Sequence, residues 1–354
     1  MPYTLTIKQK KAKGGQIYYP LELNLVEKPT PGPNHLLVKL EAAALNHRDL
    51  FIRQHLYPKI SFKSPLFSDG CGTVVEAGEA CKRTDLLNKL VILTPFRGWA
   101  SNPEGPEDWS NFETIGGVDP WNDLGCGQNY IVVHESEVEP CPEHLSAIEG
   151  SAVPCCGITG WRAFMTKSGN AVPGRNILVT GIGGGVALQV LQFGVVLGCN
   201  MYVSSSSEEK IQKALDMGAK GGVNYSRGNW EKTLIEMLPS GISFLDAIID
   251  GAGGNIMIKA TDLLKPGGVV VVYGMTVAPT LDWPMQAVLK NIELRGSTLG
   301  SRVEFTDMVN FIRDHKITPV ISRSVKGLDC VKAVDGLFED IKEGKHFGKL
   351  VVEI

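Results

Sequence analysis

The chain has 354 residues, which is long for one domain and leads us to expect two. Its composition of 43% hydrophobic and 21% charged residues is typical of a globular protein with an ample core. The net charge is −3 and the basic residues are scattered, so we expect neither nucleic acid nor an anionic membrane as a partner.

Several features bear on the compartment. The N-terminal stretch MPYTLTIKQKKAK lacks an apolar core and a cleavage site, so no secretory signal is apparent. The longest apolar run, residues 181–198, is long enough to span a membrane, but it contains Gln189 and Gln192 and starts with glycines, which favours a buried helix. The eight cysteines form no Cys-x-x-Cys pair, so we expect reduced, mostly buried thiols in the cytoplasm.

The first half of the chain consists of short β-rich segments separated by turns. Alternating, Val-rich runs such as HLLVKLEAAAL, GTVVEAGE, KLVILTP and QNYIVVHES predict a small antiparallel or barrel-like domain. The loop 95–127 carries Trp99, Trp109, Phe112 and Trp121 among glycines and prolines. These aromatics either pack the loop, the interpretation we favour, or form a lid over a flat apolar substrate.

From about residue 174 the pattern changes to apolar strands alternating with helices. Strands are predicted at RNILVTG, NMYVSSS, FLDAIIDGAG and GGVVVVYG, and helices over 184–198, 207–217 and about 255–264. This alternation predicts an α/β fold with a doubly wound parallel sheet covered on both faces. A helix near 304–315 then leads to a terminal strand, GKLVVEI, which we expect to return to the first domain.

A glycine-rich turn joins the first of these strands to its helix. Glycines there permit a tight turn and let a pyrophosphate approach the backbone, while the helix N-terminus supplies N–H groups. Strands that end in Gly251 and Gly274 strengthen the interpretation. The predicted pyrophosphate-binding residues are Gly181, Gly183, Gly184, Gly185 and Val186.

The choice between NAD and NADP is made at the end of the second strand. An acidic residue there would bind the ribose 2′-hydroxyl of NAD. This chain instead has Ser204, Ser205 and Ser206, with Lys210 one turn into the next helix. Hydroxyls and an ammonium suit a 2′-phosphate, so we predict NADPH. We interpret Glu208 and Glu209 as acids placed by the helix dipole.

Six stretches carry a resemblance to a known family: NHRDLFIR, SDGCGTVVEAG, VPCCGITGWRAF, VTGIGGGVALQVLQF, SSSSEEKIQKALDMGA and GSTLGSR. Together they resemble the medium-chain dehydrogenase/reductase superfamily, in particular its zinc-independent quinone oxidoreductase and enoyl-reductase-like branch, over essentially the whole chain. The resemblance implies a GroES-like β-barrel catalytic domain at 1–155, completed by 300–354, and a Rossmann domain at 156–299. It also implies a substrate cleft at their junction and a homodimer paired near IELRGSTLG, although that segment could equally be an internal strand.

The resemblance also raises the question of zinc. In the zinc members of the family the ligands are a cysteine, a histidine followed by a glutamate, and a second cysteine, and this chain has Asn46, Ser68 with Asp69, and Cys155 at the matching positions. These are too few ligands for a catalytic zinc. His47 is adjacent, but on an extended segment it would point the other way. The loop that would hold a structural zinc contains only Cys126, so we expect zinc of neither kind.

Without a Lewis acid an isolated ketone is hard to reduce, whereas a quinone or conjugated enone spreads the negative charge. We therefore predict an NADPH-dependent reductase of quinones or activated C=C bonds. Asn46 would hydrogen-bond the nicotinamide ribose or the substrate carbonyl, or merely cap a turn. Tyr57 lies where the quinone reductase branch has a cleft tyrosine, and the resemblance implies that it donates to a developing oxyanion, unless it is a packing tyrosine. Asp69 would shape the cleft or hold Arg48 or Arg53.

Further cofactor contacts are implied by the resemblance. Thr159 would start the helix that enters the Rossmann domain and touch the nicotinamide side, unless it only caps that helix. Tyr225 would lie near the 2′-phosphate. Cys155 and Cys156 are interpreted as small buried residues rather than reactive thiols. The residues expected to line the nicotinamide are Gly274, Met275, Leu299, Gly300 and Ser301.

Two other functions remain open at this point. One is an alcohol dehydrogenase that binds metal through an altered ligand set. The other is a catalytically silent NADPH-binding protein, like the lens crystallins that share this fold.

Overall fold

Two large sheets organise the chain, each within its own unit. A computed structural model describes residues 1–9, 17–120, 123–277 and 280–354, so Trp121 of the aromatic loop lies outside the described residues. The chain divides into one unit of Met1–Cys155 with Ser301–Ile354, and another of Cys156–Gly300.

The first unit is mainly β-structure with a few helices. Its strands are β1 Tyr3–Ile7, β2 Leu21–Leu25, β3 His35–Ala44, β4 Asp69–Ala77, β5 Leu90–Leu93, β6 Phe96–Arg97, β7 Glu113–Thr114, β8 Tyr130–His134, β9 Val138–Pro140, β16 Ile321–Lys326 and β17 Lys349–Glu353. Its helices are α1 His47–Arg53, α2 Ala147–Ser151, α9 Arg302–His315 and α10 Val331–Lys342, with 3₁₀ turns at Thr84–Leu86 and Glu135–Glu137.

Seven of these strands form one mixed sheet in the order β16-β17-β3-β4-β5-β9, with β8 paired to β3. Alternating apolar residues of β3, including Leu36, Val38 and Leu40, are buried in the core as the sequence pattern predicts. The terminal strand β17 pairs antiparallel with β3 and parallel with β16. The expected return of the chain end to the first domain is therefore confirmed.

The second unit is built around a parallel sheet. Its strands are β10 Asn176–Val179, β11 Asn200–Ser205, β12 Gly221–Asn224, β13 Leu245–Asp250, β14 Leu264–Val272 and β15 Glu293–Gly296. The helices from this part of the chain are α3 Pro154–Trp161, a π-helical stretch Arg162–Lys167, α4 Gly185–Val196, α5 Glu208–Asp216, α6 Trp230–Glu236, α7 Ile256–Leu263 and α8 Met285–Leu289.

The six strands are all parallel and run in the order β12-β11-β10-β13-β14-β15. Renumbered within the unit, this is the 3-2-1-4-5-6 order of a dinucleotide-binding Rossmann sheet. The predicted doubly wound fold is confirmed. The apolar run at 181–198 becomes the buried helix α4. No helix in the described part of the chain is long and apolar enough to cross a membrane.

Three local features refine the sequence analysis. His47 begins helix α1 rather than lying on an extended segment, because the backbone turns after Asn46 and the Asp49 carboxylate accepts the Asn46 N–H at 2.7 Å. The segment near IELRGSTLG supplies β15, an edge strand of the sheet rather than an internal one. In the loop 95–127, Trp99 is buried and stacks edge-on against Phe112 at 5.7 Å, whereas Trp109 is exposed.

Candidate functional site

Three neighbouring strand ends place polar residues at one end of the first unit's sheet. Ala44, near the end of β3, pairs with Asp69 at the start of β4 and with Val351 of β17. Asn46 follows Ala44 by two residues, and Lys349 precedes Val351 by two. Antiparallel register therefore brings Asn46, Asp69 and Lys349 together, although they are far apart in sequence.

These side chains form one buried hydrogen-bond network. The Lys349 ammonium donates to Asn46 Oδ1 at 2.6 Å and to Asp69 Oδ2 at 2.8 Å. Asn46 Nδ2 donates to Asp69 Oδ2 at 2.9 Å and to Ser68 Oγ at 3.2 Å. The Cys155 N–H donates to the other Asp69 oxygen at 2.9 Å. Asp69 is 0% and Lys349 4% exposed, so each charge is compensated out of contact with water.

Lys349 is the residue that the sequence analysis missed. A lysine in an otherwise apolar terminal strand was the available signal, but the register that aims it at Asn46 cannot be read from the sequence. The expected partners of Asp69 were wrong for the same reason. Arg53 pairs instead with Asp335 at 2.7 Å, and Arg48 is bound to loop carbonyls, so the cation at Asp69 is Lys349.

The donors at the position of a catalytic zinc do not fit that metal. Asn46 and Asp69 already bind an ammonium, and a dication beside it would be repelled. Ser68 is a poor zinc ligand, which leaves the Cys155 thiol and too few others. Within the described ranges no group of three His, Cys, Asp or Glu side chains is placed to hold a metal ion.

Arg48 and Tyr57 form a second feature beside this network. The Arg48 guanidinium lies over the half-buried Tyr57 ring, 4.7 Å from its centroid. Its Nη1 donates to the carbonyls of Ile115 and Gly116 at 3.1 and 2.9 Å. Burial lowers the pKa of Arg48, but Tyr57 and Asp49 raise it by more, so the pKa is raised overall. Burial raises the pKa of Asp49 to about 6, against the opposing effect of Arg48.

In the second unit, the glycine turn lies between β10 and α4 as predicted. Gly181 and Gly183 have φ of +65° and +118°, which non-glycine residues rarely adopt. Gly184 precedes the helix, Gly185 is its first residue, and Val186 is half-buried. The aliphatic end of Lys210 packs on the turn, because a Cβ at Gly183 would lie 2.8 Å from Lys210 Cδ and 3.2 Å from Nζ.

The serines at the end of β11 lie next to this turn. Ser204 and Ser205 are buried, whereas Ser206 is exposed, and the Tyr225 N–H donates to the Ser205 carbonyl at 3.1 Å. The side chain of Tyr225 is half exposed. Burial and the nearby Lys213 lower the pKa of Lys210, although Glu209 opposes them. The β-strand end, the turn and Lys210 therefore come together as the sequence predicted.

Glu208, at the start of α5, takes part in an exposed ion pair. It pairs with Arg227 at 2.7 Å and accepts a hydrogen bond from Asn224 at 3.1 Å. Both contacts are to Oε1, so they offset the charge of Glu208 without occupying Oε2. Of the acidic residues after β11, Glu209 pairs with Lys213 at 2.6 Å on the exposed side of the helix.

The remaining predicted residues are placed as follows. Thr159 lies in the second turn of α3, which begins at Pro154, so it is not a helix cap and does not start the helix. Leu299 has φ of +38° and is buried next to Gly300, and Ser301 caps α9 through Glu304. Gly274 and Met275 follow β14, and Gly274 approaches Gly251 so closely that a Cβ would lie 3.4 Å from the Gly251 carbonyl oxygen.

A parallel sheet in this strand order, with a glycine turn leading into α4, defines a dinucleotide-binding protein of the nicotinamide oxidoreductase class. Comparison with known proteins narrows the class. Residues 32–143 match the alcohol dehydrogenase GroES-like domain and residues 185–314 the zinc-binding dehydrogenase model. The zinc-type alcohol dehydrogenase-like protein YogA of Leptosphaeria maculans is 69% identical over 100% of both chains.

Two solved structures extend the comparison. An NAD-dependent alcohol dehydrogenase superposes with a TM-score of 0.85 at 25% identity, covering 100% of both chains. A single-residue variant of the crotonyl-CoA carboxylase/reductase AntE, in complex with NADP, superposes with a TM-score of 0.84 at 20% identity, covering 100% of this chain and 95% of that one, a likeness of fold alone. The chain belongs to the medium-chain dehydrogenase/reductase superfamily, and it is a nicotinamide-dependent oxidoreductase.

Proposed function

We propose that the protein is a zinc-independent, NADPH-dependent reductase of quinones or α,β-unsaturated carbonyl compounds. The observation that carries the proposal is the Lys349 ammonium held by Asn46 and Asp69 where zinc relatives place metal ligands. A site of this kind lacks the Lewis acid that would polarise an isolated ketone. A conjugated acceptor needs less help because its charge is delocalised as it takes up the hydride.

The preference for NADPH is supported by charge at the end of β11. Lys210 lies against the glycine turn, Ser206 offers an exposed hydroxyl after the buried Ser204 and Ser205, and Glu208 is paired with Arg227. The ammonium would bind a 2′-phosphate with a charge-assisted hydrogen bond, and Tyr225 would lie beside it. The glycine turn and the N-terminus of α4 would hold the pyrophosphate. Residues Thr159, Gly274, Met275, Leu299, Gly300 and Ser301 are proposed to line the nicotinamide.

Each polar residue of the first unit then has a distinct task. Bound NADPH supplies the hydride. Both protons of the Asn46 amide are directed at Ser68 and Asp69, and its Oδ1 accepts from the Lys349 ammonium and the Asp49 N–H, so Asn46 is proposed to position Asp69 and Lys349 rather than to contact the ribose or the substrate carbonyl. Asp69 holds Lys349 and Asn46 in place. Tyr57 is proposed to donate its hydroxyl proton to the oxygen on which charge develops.

The test is oxidation of NADPH and of NADH by the purified protein, with 9,10-phenanthrenequinone, 2-alkenals and simple ketones, before and after treatment with a chelator. We expect turnover of the quinone or the alkenals with NADPH, unchanged by chelation, and no stoichiometric zinc by metal analysis. Activity confined to simple ketones, or abolished by the chelator, would identify a metal-dependent alcohol dehydrogenase with altered ligands. Tight NADPH binding without turnover would identify a silent nucleotide-binding protein.

We also propose a cytoplasmic homodimer. The edge strand β15 exposes backbone groups that a second copy could pair with, and exposed apolar side chains lie near it in sequence, among them Met285, Leu289 and Leu294. The eight cysteines form no Cys-x-x-Cys pair, which suits a reducing compartment. Light scattering of the purified protein measures its oligomeric state, and a monomer at micromolar concentration would refute the proposed homodimer.

A further inference from the structure

We propose that Arg48 is the group that binds the substrate's carbonyl oxygen and stabilises the negative charge that develops on it. This inference deepens the proposed function and rests on it. The substrate class it defines is a planar conjugated carbonyl compound whose oxygen becomes an enolate or a hydroquinone oxyanion.

The first observation is an uncommitted edge on a buried guanidinium. Arg48 is 8% exposed, yet its Nε and Nη2 have no hydrogen-bond partner among the residues that the structure describes. These two nitrogens form one edge of the guanidinium fork, with N–H bonds that run nearly parallel. Buried donors without an acceptor cost about 1–3 kcal/mol each, so a ligand or an ordered water molecule normally satisfies them.

The second observation is that the rest of Arg48 is held rigidly. Nη1 is fixed by two backbone carbonyls, of Ile115 and Gly116, and the guanidinium plane rests on the Tyr57 ring. The Asp49 carboxylate lies 3.7 Å from Nη1, too far for a hydrogen bond. The free edge is therefore pre-oriented, which is what a charge-stabilising group requires.

Two other buried arginines show what is particular to Arg48: Arg97 has an unpartnered Nη2 as well, but among the described residues only Arg48 has both Nε and Nη2 buried without a partner. Arg53, five residues later on the same helix, donates through Nε to the Tyr19 carbonyl at 2.9 Å and through Nη1 to Asp335 at 2.7 Å. Arg53 thus forms a structural ion pair, whereas the Nε edge of Arg48 contacts no acceptor among the described residues and could bind a ligand. Tyr57 and Cys155, which influence Arg48 electrostatically, are both partly exposed.

The chemistry balances without another co-reactant. In an enone, hydride from the reduced nicotinamide forms a C–H bond at the β-carbon, the C=C electron pair moves to join the α- and carbonyl carbons, and the C=O π pair moves to the oxygen. In an o-quinone the hydride forms an O–H bond at one carbonyl oxygen, the π pair of that C=O moves to join the two carbonyl carbons, and the π pair of the other C=O moves to its oxygen. The N–H groups of Arg48 donate to that oxyanion as it forms. A proton from the Tyr57 hydroxyl or from water then completes the neutral product at the α-carbon or at oxygen. Arg48 itself keeps its protons throughout.

The test compares Arg48→Met, Arg48→Lys and Arg53→Met with the wild type. For a 2-alkenal and for 9,10-phenanthrenequinone we expect Arg48→Met to lower kcat about 100- to 1,000-fold, as loss of an oxyanion donor does, with the NADPH Kd unchanged. Arg48→Lys should be intermediate because an ammonium lacks the planar fork. Added guanidinium ion should restore part of the activity of Arg48→Met only. Arg53→Met should lower thermal stability and leave kcat near the wild-type value.

The inference is overturned if Arg48→Met turns over near the wild-type rate, or if its loss merely follows its loss of folded protein. It is also overturned if only a carboxylate-bearing enone, such as a 4-oxo-2-alkenoate, is affected, and through KM; Arg48 would then recognise a carboxylate.

A binding experiment tests the role of Arg48 independently of the proposed reductase activity. 4-Nitrophenol changes colour when it ionises, and a guanidinium edge that accepts an oxyanion should lower the pKa of the bound phenol in the wild type and not in Arg48→Met. If the wild type reduces no quinone or alkenal, the proposed function fails, yet this experiment still decides whether Arg48 binds an oxyanion. Equal phenol pKa values in the two proteins would refute it.

Discussion

The two units build their candidate sites in different ways. In the first unit, the candidate site consists of buried side chains: Lys349, Asn46 and Asp69 form a compensated charge network, and Arg48 lies beside it. In the second unit, the candidate site is formed mainly by the backbone, through the positive φ of Gly181 and Gly183 and the N–H groups at the N-terminus of α4. A backbone site keeps its function under many side-chain changes, whereas a side-chain site changes its chemistry with a single residue. The chain thus combines the glycine turn of a dinucleotide-binding sheet with a buried charge network at Asn46, Asp69 and Lys349.

The strongest test of this difference between the two units is to remove the buried cation of the first unit. Lys349→Met leaves Asp69 as an uncompensated buried carboxylate, and we expect the free energy of unfolding to fall by about 3–5 kcal/mol in urea titrations. Lys345→Met, which breaks the exposed pair with Glu343, should have no measurable effect. The double variant Lys349→Met/Asp69→Asn should recover part of the loss. A small loss in Lys349→Met alone would mean that the network is not the stabilising element of this sheet end.

A second test uses pH on the same network. Asp49 has a pKa of about 6 in the folded protein against an ordinary value of 3.8, with burial as the main cause. The folded state therefore binds this proton more tightly, so stability from this group is full below pH 4 and is lost as pH rises through 6. Two pKa units correspond to about 3 kcal/mol. Unfolding free energies measured from pH 4 to 7 should fall more steeply for the wild type than for Asp49→Asn.

Asp108, whose pKa is shifted the other way, is the control for the direction in which stability changes with pH. Ser110 lowers the pKa of this exposed carboxyl, so its contribution is present at neutral pH and lost as pH falls through the lowered value. Asp108→Asn should therefore leave the fall in stability between pH 4 and 7 as in the wild type and change the pH dependence only below pH 4, with the opposite sign. If both variants behave alike, the raised pKa of Asp49 is not what sets the slope.

The sequence was most informative where function depends on local pattern. The glycine turn, the serines of β11 and Lys210 are adjacent in sequence or joined by one strand and one helix, so periodicity and turn chemistry place them. The network around Asn46 depends on pairing among β17, β3 and β4, with Lys349 more than 300 residues from Asn46. Strand register over such separations is set by tertiary packing, which is why Asp69 was given the wrong partners and Lys349 was missed.

In the second unit, the test of intermediate size is Lys210→Ala. Loss of a charge-assisted hydrogen bond to a 2′-phosphate should weaken NADPH binding about 10- to 100-fold, because such bonds contribute about 1.5–3 kcal/mol. NADH, which lacks this phosphate, should bind almost as before. Lys213→Ala, one turn later and paired with Glu209, is the matched control and should change neither Kd. Fluorescence titration with each nucleotide measures both, and equal weakening of NADPH and NADH would refute the proposed phosphate contact.

The test with the smallest expected effect distinguishes the contribution of the glycine turn's backbone to nucleotide binding from that of the Lys210 side chain that packs on it. Gly181→Ala has open space around its Cβ and adds only the strain of φ +65°, about 1–2 kcal/mol, so NADPH and NADH should weaken by the same factor. Gly183→Ala adds strain at φ +118° and also pushes a Cβ to 2.8 Å from Lys210 Cδ, which displaces that side chain. Its NADPH-to-NADH preference should therefore fall a few-fold, and the fall should vanish in a Lys210→Ala background. A preference that is unchanged by Gly183→Ala, or that falls equally in Gly181→Ala, would show that Lys210 does not act from its place on the turn.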